Sequence, residues 1–428
     1  MSDTVGQTHI SGHSASPSPN KVLLVCFAAM VIASIDRINI SVAILAMQPE
    51  FGWSETVKGM VMAAFFAGYM ATQIAGGWLS HRIGGERVLL VSLIAWSVFT
   101  VMTPIAAYMG VAALIAMRLL LGMSEGPCNP AAYSMLGRWI PDHLRPMAIA
   151  TYGSGGFLGA FIALLLTGPM VMKFGWESAF YVFSVIGLLL ALMARPWLMQ
   201  LSKQRWQPID ADHGDGANGT ATSKRTIPWR RLLGLRPFWA LAVALFCTAW
   251  VYYVMLLWMP SYFERAFAMD VASSGYFSLA PWVIMFLVMN MAGAASAWLV
   301  RRGLSTTAAR KLFTVGGLVG AAIALLVVPT AETPLTAMLL LSVALGFLAA
   351  TYAGVAPNVF DIAPRYGEVL FSILNTLGSL PGVIGVTLTG MLVDLTGNFD
   401  ASLQAAAALA LMGGVVFLVA GTGARQVE

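Results

Sequence analysis

The sequence predicts an all-α polytopic membrane protein with twelve transmembrane helices in two pseudo-symmetric bundles of six. Three observations predict this class: 58% of the 428 residues are hydrophobic, only 10% are charged, and long apolar runs recur along the chain. An ordinary soluble protein has roughly 45–50% apolar and about 25% charged residues. The 24 basic and 19 acidic residues cannot cover a soluble chain of this length. The composition therefore excludes a cytosolic enzyme, a disordered chain and a secreted disulfide scaffold.

Twelve apolar runs have the length of about 20 residues that a membrane-crossing helix needs. They lie at 22–47, 58–79, 87–108, 111–135, 146–170, 178–200, 237–262, 276–300, 309–330, 335–357, 369–393 and 401–422. Because lipid offers no hydrogen bonds to the backbone, runs of this length are expected to be helical. The three cysteines lie within apolar runs and are expected to be free, buried thiols: Cys26, Cys128 and Cys247.

Polar segments divide the chain into five parts. Residues 1–21 form a polar tail without the charged start of a signal peptide. Residues 22–200 form the first six-helix bundle, 201–236 a linker, 237–422 the second bundle, and 423–428 a short tail. The linker has an acidic stretch from Asp210 and a basic cluster from Lys224 to Arg236. A lipid or partner role for this cluster is possible, but a general excess of basic residues on one side explains it better.

The two bundles repeat short motifs at a similar spacing, which indicates a duplicated six-helix unit. Trp78-Leu-Ser-His-Arg-Ile-Gly84 resembles Trp298-Leu-Val-Arg-Arg-Gly303, and Leu166-Thr-Gly168 matches Leu388-Thr-Gly390 at an offset of 222 residues. Gly156 and Gly378 share that offset. Transporters built from such repeats place their substrate between the halves near the middle of the bilayer.

The basic residues predict the orientation. Nineteen of the 24 fall on the cytoplasmic side if the N-terminus is cytoplasmic, whereas Lys58, Lys173 and Arg265 fall in outer loops. Cytoplasmic loops carry the excess of Lys and Arg in membrane proteins. We therefore expect a multi-pass protein with both termini in the cytoplasm; the membrane is expected to be a bacterial inner (plasma) membrane.

Four charged residues are expected at membrane depth: Asp36 and Arg37 in span one, and Arg118 and Glu125 in span four. A charge there costs roughly 2.5–3.5 kcal/mol even on lenient scales, so these side chains should face a shared cavity. Two salt bridges that merely tie the spans together are the simpler alternative, but buried pairs stabilise poorly compared with apolar packing.

Each of these four charges has an expected role. Glu125 is the first candidate for a proton carrier and Asp36 the second, because a buried carboxyl beside an arginine can take up and release a proton. Arg37 is the first candidate to bind an anionic substrate, since its guanidinium offers a planar fork to carboxylates. Arg118 is placed to pair with Asp36.

Polar and aromatic residues elsewhere in the spans have two interpretations. Tyr252 and Tyr253 in span seven either line the cavity or are ordinary membrane aromatics. Asn375 in span eleven either binds substrate or joins two helices by a hydrogen bond. No spacing of His, Cys and Asp resembles a metal site and no nucleotide-binding motif is visible, so we expect no cofactor, no nucleotide and no nucleic acid.

Two motifs resemble those of a known family. Gly77-Trp-Leu-Ser-His-Arg-Ile-Gly-Gly-Glu-Arg87 resembles the loop between spans two and three in the major facilitator superfamily. The run from Arg118 to Ala131 resembles the span-four signature of its anion:cation symporter family, with the closest likeness to bacterial galactonate-type and hexuronate-type carriers and a more distant one to sialin and vesicular glutamate transporters.

The resemblance implies proton coupling by Asp36 and Glu125, binding of a substrate carboxylate by Arg37, and pocket contacts from Tyr69 and Asn375. It also implies that the loop takes part in gating, through Gly77, His81, Arg82, Gly84 and Arg87.

The chain departs from the family at two positions. His81 stands where the superfamily loop usually has an aspartate, so closure of the cytoplasmic side is expected to differ. Gly156 stands where galactonate-type carriers have a glutamine. Losing that amide removes a partner for substrate hydroxyls and enlarges the pocket, which favours a less hydroxylated or an aromatic anion.

The sequence thus predicts a proton-coupled symporter that imports an organic carboxylate, such as a sugar acid or an aromatic acid, by alternating access. Its partners are the anion, protons and the lipid bilayer. A sodium-coupled or exchange-mode carrier is the alternative within transport. A membrane-embedded transferase is less favoured, because such an enzyme would cluster its polar residues at one membrane face.

Overall fold

The computed structural model describes residues 18–141, 143–203 and 229–427, and all α-helices named here lie within them. The α-helices are α1 (Pro19–Phe51), α2 (Glu55–Ile83), α3 (Gly85–Met109), α4 (Val111–Glu125), α5 (Cys128–Trp139), α6 (Arg145–Phe174), α7 (Glu177–Lys203), α8 (Trp229–Leu233), α9 (Arg236–Phe267), α10 (Val271–Phe277), α11 (Leu279–Arg301), α12 (Thr306–Val327), α13 (Pro334–Ile362), α14 (Gly367–Thr396) and α15 (Asp400–Ala420). Two short 3₁₀ turns follow α12 and α13, at Val328–Thr330 and Pro364–Tyr366.

Twelve membrane spans form from these helices, which confirms the predicted fold class. Spans one to three are α1 to α3, span four combines α4 and α5, and spans five and six are α6 and α7. Span seven is α9, span eight combines α10 and α11, and spans nine to twelve are α12 to α15. Since the number of crossings is even, span one starts and span twelve ends at the same face, here called the termini face. The other face is called the opposite face.

The helices extend beyond the apolar runs, which corrects the placement of three basic residues. Lys58, Lys173 and Arg265 were expected in loops but lie inside spans two, five and seven. Span two begins early because the Ser54 hydroxyl accepts a hydrogen bond from the Val57 amide at 3.3 Å, which caps the helix before its apolar part. Lys58 is consequently fully buried instead of solvated.

The two halves have the same internal plan, and span one of the first half packs against spans seven and eight of the second. Spans two and eleven also pack together, as do spans five and eight. The repeated Leu-Thr-Gly motifs lie at these two contacts. A Cβ on Gly168 would come within 2.6 Å of the Ala272 Cα, and one on Gly390 within 2.2 Å of the Glu55 carbonyl oxygen. Glycine at both positions therefore permits equivalent close approaches of the halves.

A second repeated motif forms the same side-chain contact in both halves at the termini face. The Arg82 guanidinium carbon lies 5.2 Å from the Trp78 ring centroid, and that of Arg302 lies 4.2 Å from the Trp298 ring centroid. Each arginine follows its tryptophan by four residues, so the two side chains share one helix face. Both spans thus end in the same cation–π pair, a type of contact suited to a membrane–water interface.

Candidate functional site

The candidate site is built on a close contact between spans two and four. A Cβ on Gly68 would lie 2.1 Å from the Leu119 carbonyl oxygen, and one on Gly122 would lie 2.0 Å from the Phe65 carbonyl oxygen. The two backbones can approach this closely only because both positions are glycine, a common way of packing membrane helices. This contact places Phe65 and Tyr69 of span two beside the charged residues of span four.

Arg37 of span one forms an ion pair and hydrogen bond with Glu125 of span four. The Arg37 guanidinium carbon also lies 5.5 Å from the Phe65 ring centroid and 5.4 Å from that of Tyr69. The guanidinium is therefore held between a carboxylate and two aromatic faces. This geometry keeps it charged and oriented inside the bilayer.

Solvent reaches the four membrane-depth charges unequally. The Arg37 side chain is 17% exposed and that of Glu125 only 1%. Asp36 and Arg118 are 1% and 0% exposed. A ligand that enters from water therefore meets Arg37 before any of the other three.

The expected pairing of Arg118 with Asp36 does not form in this structure. Among the described residues, neither oxygen of Asp36 and none of the three Arg118 nitrogens has a partner with hydrogen-bond geometry, although the Trp96 indole approaches Asp36. The Arg118 guanidinium carbon instead lies 5.4 Å from the centroid of the Phe65 ring, so an aromatic face takes the place of the carboxylate. Arg118 still interacts electrostatically with both Asp36 and Glu125. All four charges thus occupy one cluster, but only one hydrogen-bonded pair exists in it.

Tyr69 belongs to a hydrogen-bonded chain that runs from span two into spans four and five. The Asn129 amide donates to the Tyr69 hydroxyl at 2.7 Å, and the Tyr152 hydroxyl donates to the Asn129 amide oxygen. These two hydrogen bonds hold the Tyr69 ring in place against Arg37. Asn129 and Tyr152 were not singled out from the sequence, although Asn129 lies within the span-four motif.

The second half of the molecule adds an aromatic wall to the site. The Tyr253 ring centroid lies 4.7 Å from that of Phe66 and 5.2 Å from that of Tyr252. Both tyrosines lie close enough to Arg37 to interact with it electrostatically. A role for them in lining the substrate cavity stays a prediction. Tyr352 of span ten also interacts with both tyrosines and was missed from the sequence, because isolated aromatics are ordinary in membrane spans.

Asn375 is exposed and lies on the inward face of span eleven. Gly378, Gly382 and Gly385 follow it at helical spacing, and added Cβ atoms there would contact Leu245, Phe66 and Trp250 of the packed core. Its backbone oxygen accepts a hydrogen bond from the Ser379 hydroxyl at 3.0 Å. Asn375 therefore lies between the two halves, and a contact between it and the substrate stays a prediction.

The predicted gating loop lies at the termini face. His81, Arg82 and Arg87 are exposed, Gly77 is partly buried, and Gly84 has a φ of 92°, which suits glycine at the turn between spans two and three. Sequence reasoning missed Glu86, which is buried. It accepts a hydrogen bond from the Trp139 indole at 2.6 Å and lies 3.5 Å from Arg138. Gating by this loop stays a prediction.

At the opposite face the halves are joined by a polar cluster, here called the opposite-face latch. Asp394 of span eleven accepts hydrogen bonds from the amides of Glu55 and Thr56 at 3.0 and 2.7 Å. Arg265 of span seven donates to Glu55 at 2.8 Å. The buried Lys58 donates to Gln48 at 2.9 Å, and the two complete the latch. The hydrogen bonds that join the halves, within the described part of the chain, lie at this face.

Part of the predicted linker lies outside the described residues. This applies to the acidic stretch from Asp210 and to Lys224 and Arg225. Arg230, Arg231 and Arg236 belong to α8 and the start of α9.

Comparison with known proteins defines the class of the chain. The Major Facilitator Superfamily pattern matches residues 26–386. The bacterial homolog of the human lysosomal transporter Spinster, in its inward-facing and occupied conformation, superposes with a TM-score of 0.77. It is 19% identical, over 94% of this chain and 97% of that one, which shows the fold alone. The chain belongs to the Major Facilitator Superfamily.

Three plant relatives refine this assignment. Probable anion transporter 4, chloroplastic, of Oryza sativa subsp. japonica is 35% identical over 95% of this chain and 69% of that protein. Sodium-dependent phosphate transport protein 1, chloroplastic, and the ascorbate transporter, chloroplastic, of Arabidopsis thaliana are each 34% identical over 95% of this chain, and over 80% and 75% of the relative. The predicted resemblance to anion carriers of this superfamily is confirmed. The chain is a membrane transporter and not an enzyme.

The relatives also contradict one prediction. The chain was expected in a bacterial plasma membrane, but these relatives are chloroplastic transporters of plants, which points to an organelle membrane. The prediction was wrong because an excess of basic residues on one side shows only that a membrane separates two compartments. It does not identify the membrane. The multi-pass insertion itself is retained.

Proposed function

We propose that the chain is a proton-coupled symporter of an organic carboxylate, with Arg37 as the anion-binding group and Glu125 as the proton carrier. The observation on which the proposal rests is the Arg37–Glu125 ion pair, in which only the arginine is accessible to solvent. The names of the relatives support an anionic substrate.

The pair couples anion binding to proton uptake. A substrate carboxylate that engages the Arg37 fork competes with Glu125 for the same donors. Glu125 is then a buried carboxylate without its partner, and protonation removes that unfavourable charge. Asp36, buried beside it without a hydrogen bond among the described residues, is the second group able to take a proton. The loaded site has the same net charge as the empty one, because the bound anion replaces the Glu125 carboxylate beside Arg37, and it can therefore change its access between the two faces.

Uptake by proteoliposomes that contain the purified chain tests this proposal. With gluconate and benzoate as substrates, an inward proton gradient should accelerate uptake of at least one of them severalfold. Glu125→Gln should abolish the response to the gradient while exchange of labelled for unlabelled substrate continues. Wild-type uptake that ignores the proton gradient would overturn proton coupling, and a response to the gradient that persists unchanged in Glu125→Gln would overturn Glu125 as the proton carrier.

A sodium-coupled mode is the second candidate, because one relative is named a sodium-dependent phosphate transport protein. The same vesicles distinguish the two ions. Acceleration by a sodium gradient at equal pH on both sides favours this mode, whereas acceleration by a pH gradient in sodium-free buffer favours proton coupling.

A further inference from the structure

A chamber lined by aromatic side chains lies between spans one, five and eight. Its volume is about 310 Å³, and five of its lining residues are aromatic: Phe27, Phe157, Phe161, Trp282 and Phe286. The one polar side chain in the lining, Ser154, already donates its hydroxyl to the Thr151 carbonyl oxygen at 2.7 Å. The chamber therefore offers an apolar, ring-lined space inside a protein that carries anions.

Glycines in span five let it pack closely against span one beside the chamber. A Cβ on Gly155 would lie 3.1 Å from the Phe27 carbonyl oxygen, and one on Gly156 would lie 3.1 Å from the Met30 Cε atom. Span five can thus press against span one. Ser154, Phe157 and Phe161 recur at helical spacing and point to span eight, where the Phe157 and Phe286 ring centroids are 5.3 Å apart. Any side chain longer than a methyl group at position 156 would enter the region beside Ser34.

The chamber is connected to the charged site through shared aromatic contacts. Trp282 lines the chamber, and its ring centroid lies 5.4 Å from that of Tyr252 in an edge-to-face arrangement. Tyr252 in turn interacts electrostatically with Arg37. Trp282 therefore belongs both to the chamber wall and to the aromatic wall of the charged site, so a ligand that reaches from Arg37 into the chamber would pass these two rings.

We infer that this chamber is the second compartment of the substrate site, and that it accepts the aromatic ring system of a carboxylate bound at Arg37. The inference rests on the proposed function. An engineered apolar cavity of about 150 Å³ holds one benzene molecule, so this volume suits a fused bicyclic ring. Aromatic walls favour offset or edge-to-face contacts with a ring over a saturated chain.

A lipid acyl chain is the competing occupant, because the chamber is partly open to the outside. Phe161 and Val283 are 39% and 41% exposed. An acyl chain would occupy the chamber without reference to Arg37, whereas a ring on a carboxylate needs both. The two occupants therefore predict different dependence on the charged group.

The experiment measures equilibrium binding to the full chain in phosphatidylcholine nanodiscs by calorimetry. The ligands are gluconate, benzoate, 2-naphthoate and the uncharged 2-naphthylmethanol. We expect 2-naphthoate to bind about tenfold more tightly than benzoate, because the second ring buries more apolar surface. 2-Naphthylmethanol should bind much more weakly than 2-naphthoate, since it lacks the group that Arg37 binds.

Two variants test the chamber in opposite ways. Phe286→Ala removes a ring contact, and Ser154→Leu fills the space without removing one. Each should weaken 2-naphthoate binding about tenfold and leave gluconate binding unchanged. Leu287→Ala, at an exposed neighbour of Phe286 outside the lining, is the matched control and should change neither.

Three results would overturn the chamber as a substrate compartment: unchanged 2-naphthoate affinity in both variants, an equal loss for gluconate and 2-naphthoate, or equal affinity for 2-naphthylmethanol and 2-naphthoate. The last result would identify a lipid-type site. If any one of these results occurs while benzoate or gluconate uptake still follows the proton gradient, the chamber is rejected as a substrate compartment and the proposed function stands. If ring selectivity depends on the chamber but uptake ignores the gradient, the coupling fails and the chamber stands.

Discussion

Arg37 and Glu125 form an ion pair whose partners differ in exposure, 17% against 1%. Removing one partner of a buried pair costs about 3–5 kcal/mol, because the other charge is left uncompensated. An anion that takes Arg37 from Glu125 imposes a cost of this kind unless a proton arrives. At the scale of single residues, the proposed coupling of anion binding to proton uptake rests on this difference in exposure.

Replacing Arg37 by lysine should weaken carboxylate binding while keeping the positive charge. Lysine has a compact ammonium and cannot present two parallel donors to a carboxylate. We expect about a tenfold or greater rise in the dissociation constant of benzoate, measured by calorimetry in nanodiscs. Arg302→Lys, at an exposed arginine stacked on Trp298, is the control and should bind benzoate as the wild type does. Equal affinity of Arg37→Lys and wild type would exclude bidentate recognition.

The sequence predicted the four charges that form the cluster of spans one and four, but not their pairing. A charge inside an apolar run is conspicuous because its burial is costly. Which carboxylate meets which arginine depends on the rotation and crossing of spans one and four, and the sequence does not specify these. Phe65 illustrates the limit: its ring contacts both Arg37 and Arg118, yet a phenylalanine in a span looks like ordinary core.

At the scale of helices, the contact between spans two and four positions the site. Gly68 and Gly122 approach the carbonyl groups of Leu119 and Phe65, and Gly76 approaches the backbone of Pro127 in the same way. Phe65 and Tyr69 lie at this contact, and their rings pack against the Arg37 guanidinium. A change in the distance between these two helices would therefore move the aromatic rings that contact Arg37.

Gly122→Ala should destabilise the protein and impair binding together. The new methyl group would lie 2.0 Å from the Phe65 carbonyl oxygen, so the helices must separate. Overpacking of this kind costs about 1–3 kcal/mol. We expect a lower unfolding midpoint in an SDS titration and weaker benzoate binding.

Gly137→Ala is the matched control for Gly122→Ala, because it lies in the same span and a Cβ there would meet nothing within 4 Å. Its midpoint should equal or exceed that of the wild type, since alanine favours helix more than glycine does. A wild-type midpoint for Gly122→Ala would show that the contact can relax without cost.

The sequence located every span but not every helix end. Apolar length is a strong signal for a crossing, whereas helix ends depend on caps and on partners across the molecule. Lys58 shows the difference, because its burial depends on Gln48 and Trp258, which come from spans one and seven. The sequence around Lys58 alone cannot predict these contacts, because both partners are distant in sequence.

At the scale of the whole molecule, the repeats predicted two equivalent halves, but not which face is closed. Alternating access requires one sequence to support closure at either face, so motifs for both are present together. In this structure the opposite-face latch joins the halves, and the predicted gating residues His81, Arg82 and Arg87 are exposed at the other face. The relative stability of the two arrangements is a small difference between large packing energies, which no motif encodes.

Breaking the latch should shift the molecule toward opening at the opposite face. Asp394 accepts three hydrogen bonds from Glu55 and Thr56 across the boundary between the halves. Asp394→Ala removes them, and we expect about a fivefold gain in the population open at that face.

A cysteine at Thr387, which faces Gly59 across the boundary, reports this opening through its rate of reaction with a membrane-impermeant maleimide. The native cysteines are buried and should react slowly. Glu332→Ala, at an exposed acidic residue outside the latch, should leave the rate unchanged. Equal rates in Asp394→Ala and wild type would show that apolar packing of spans two and eleven, and not the latch, closes this face.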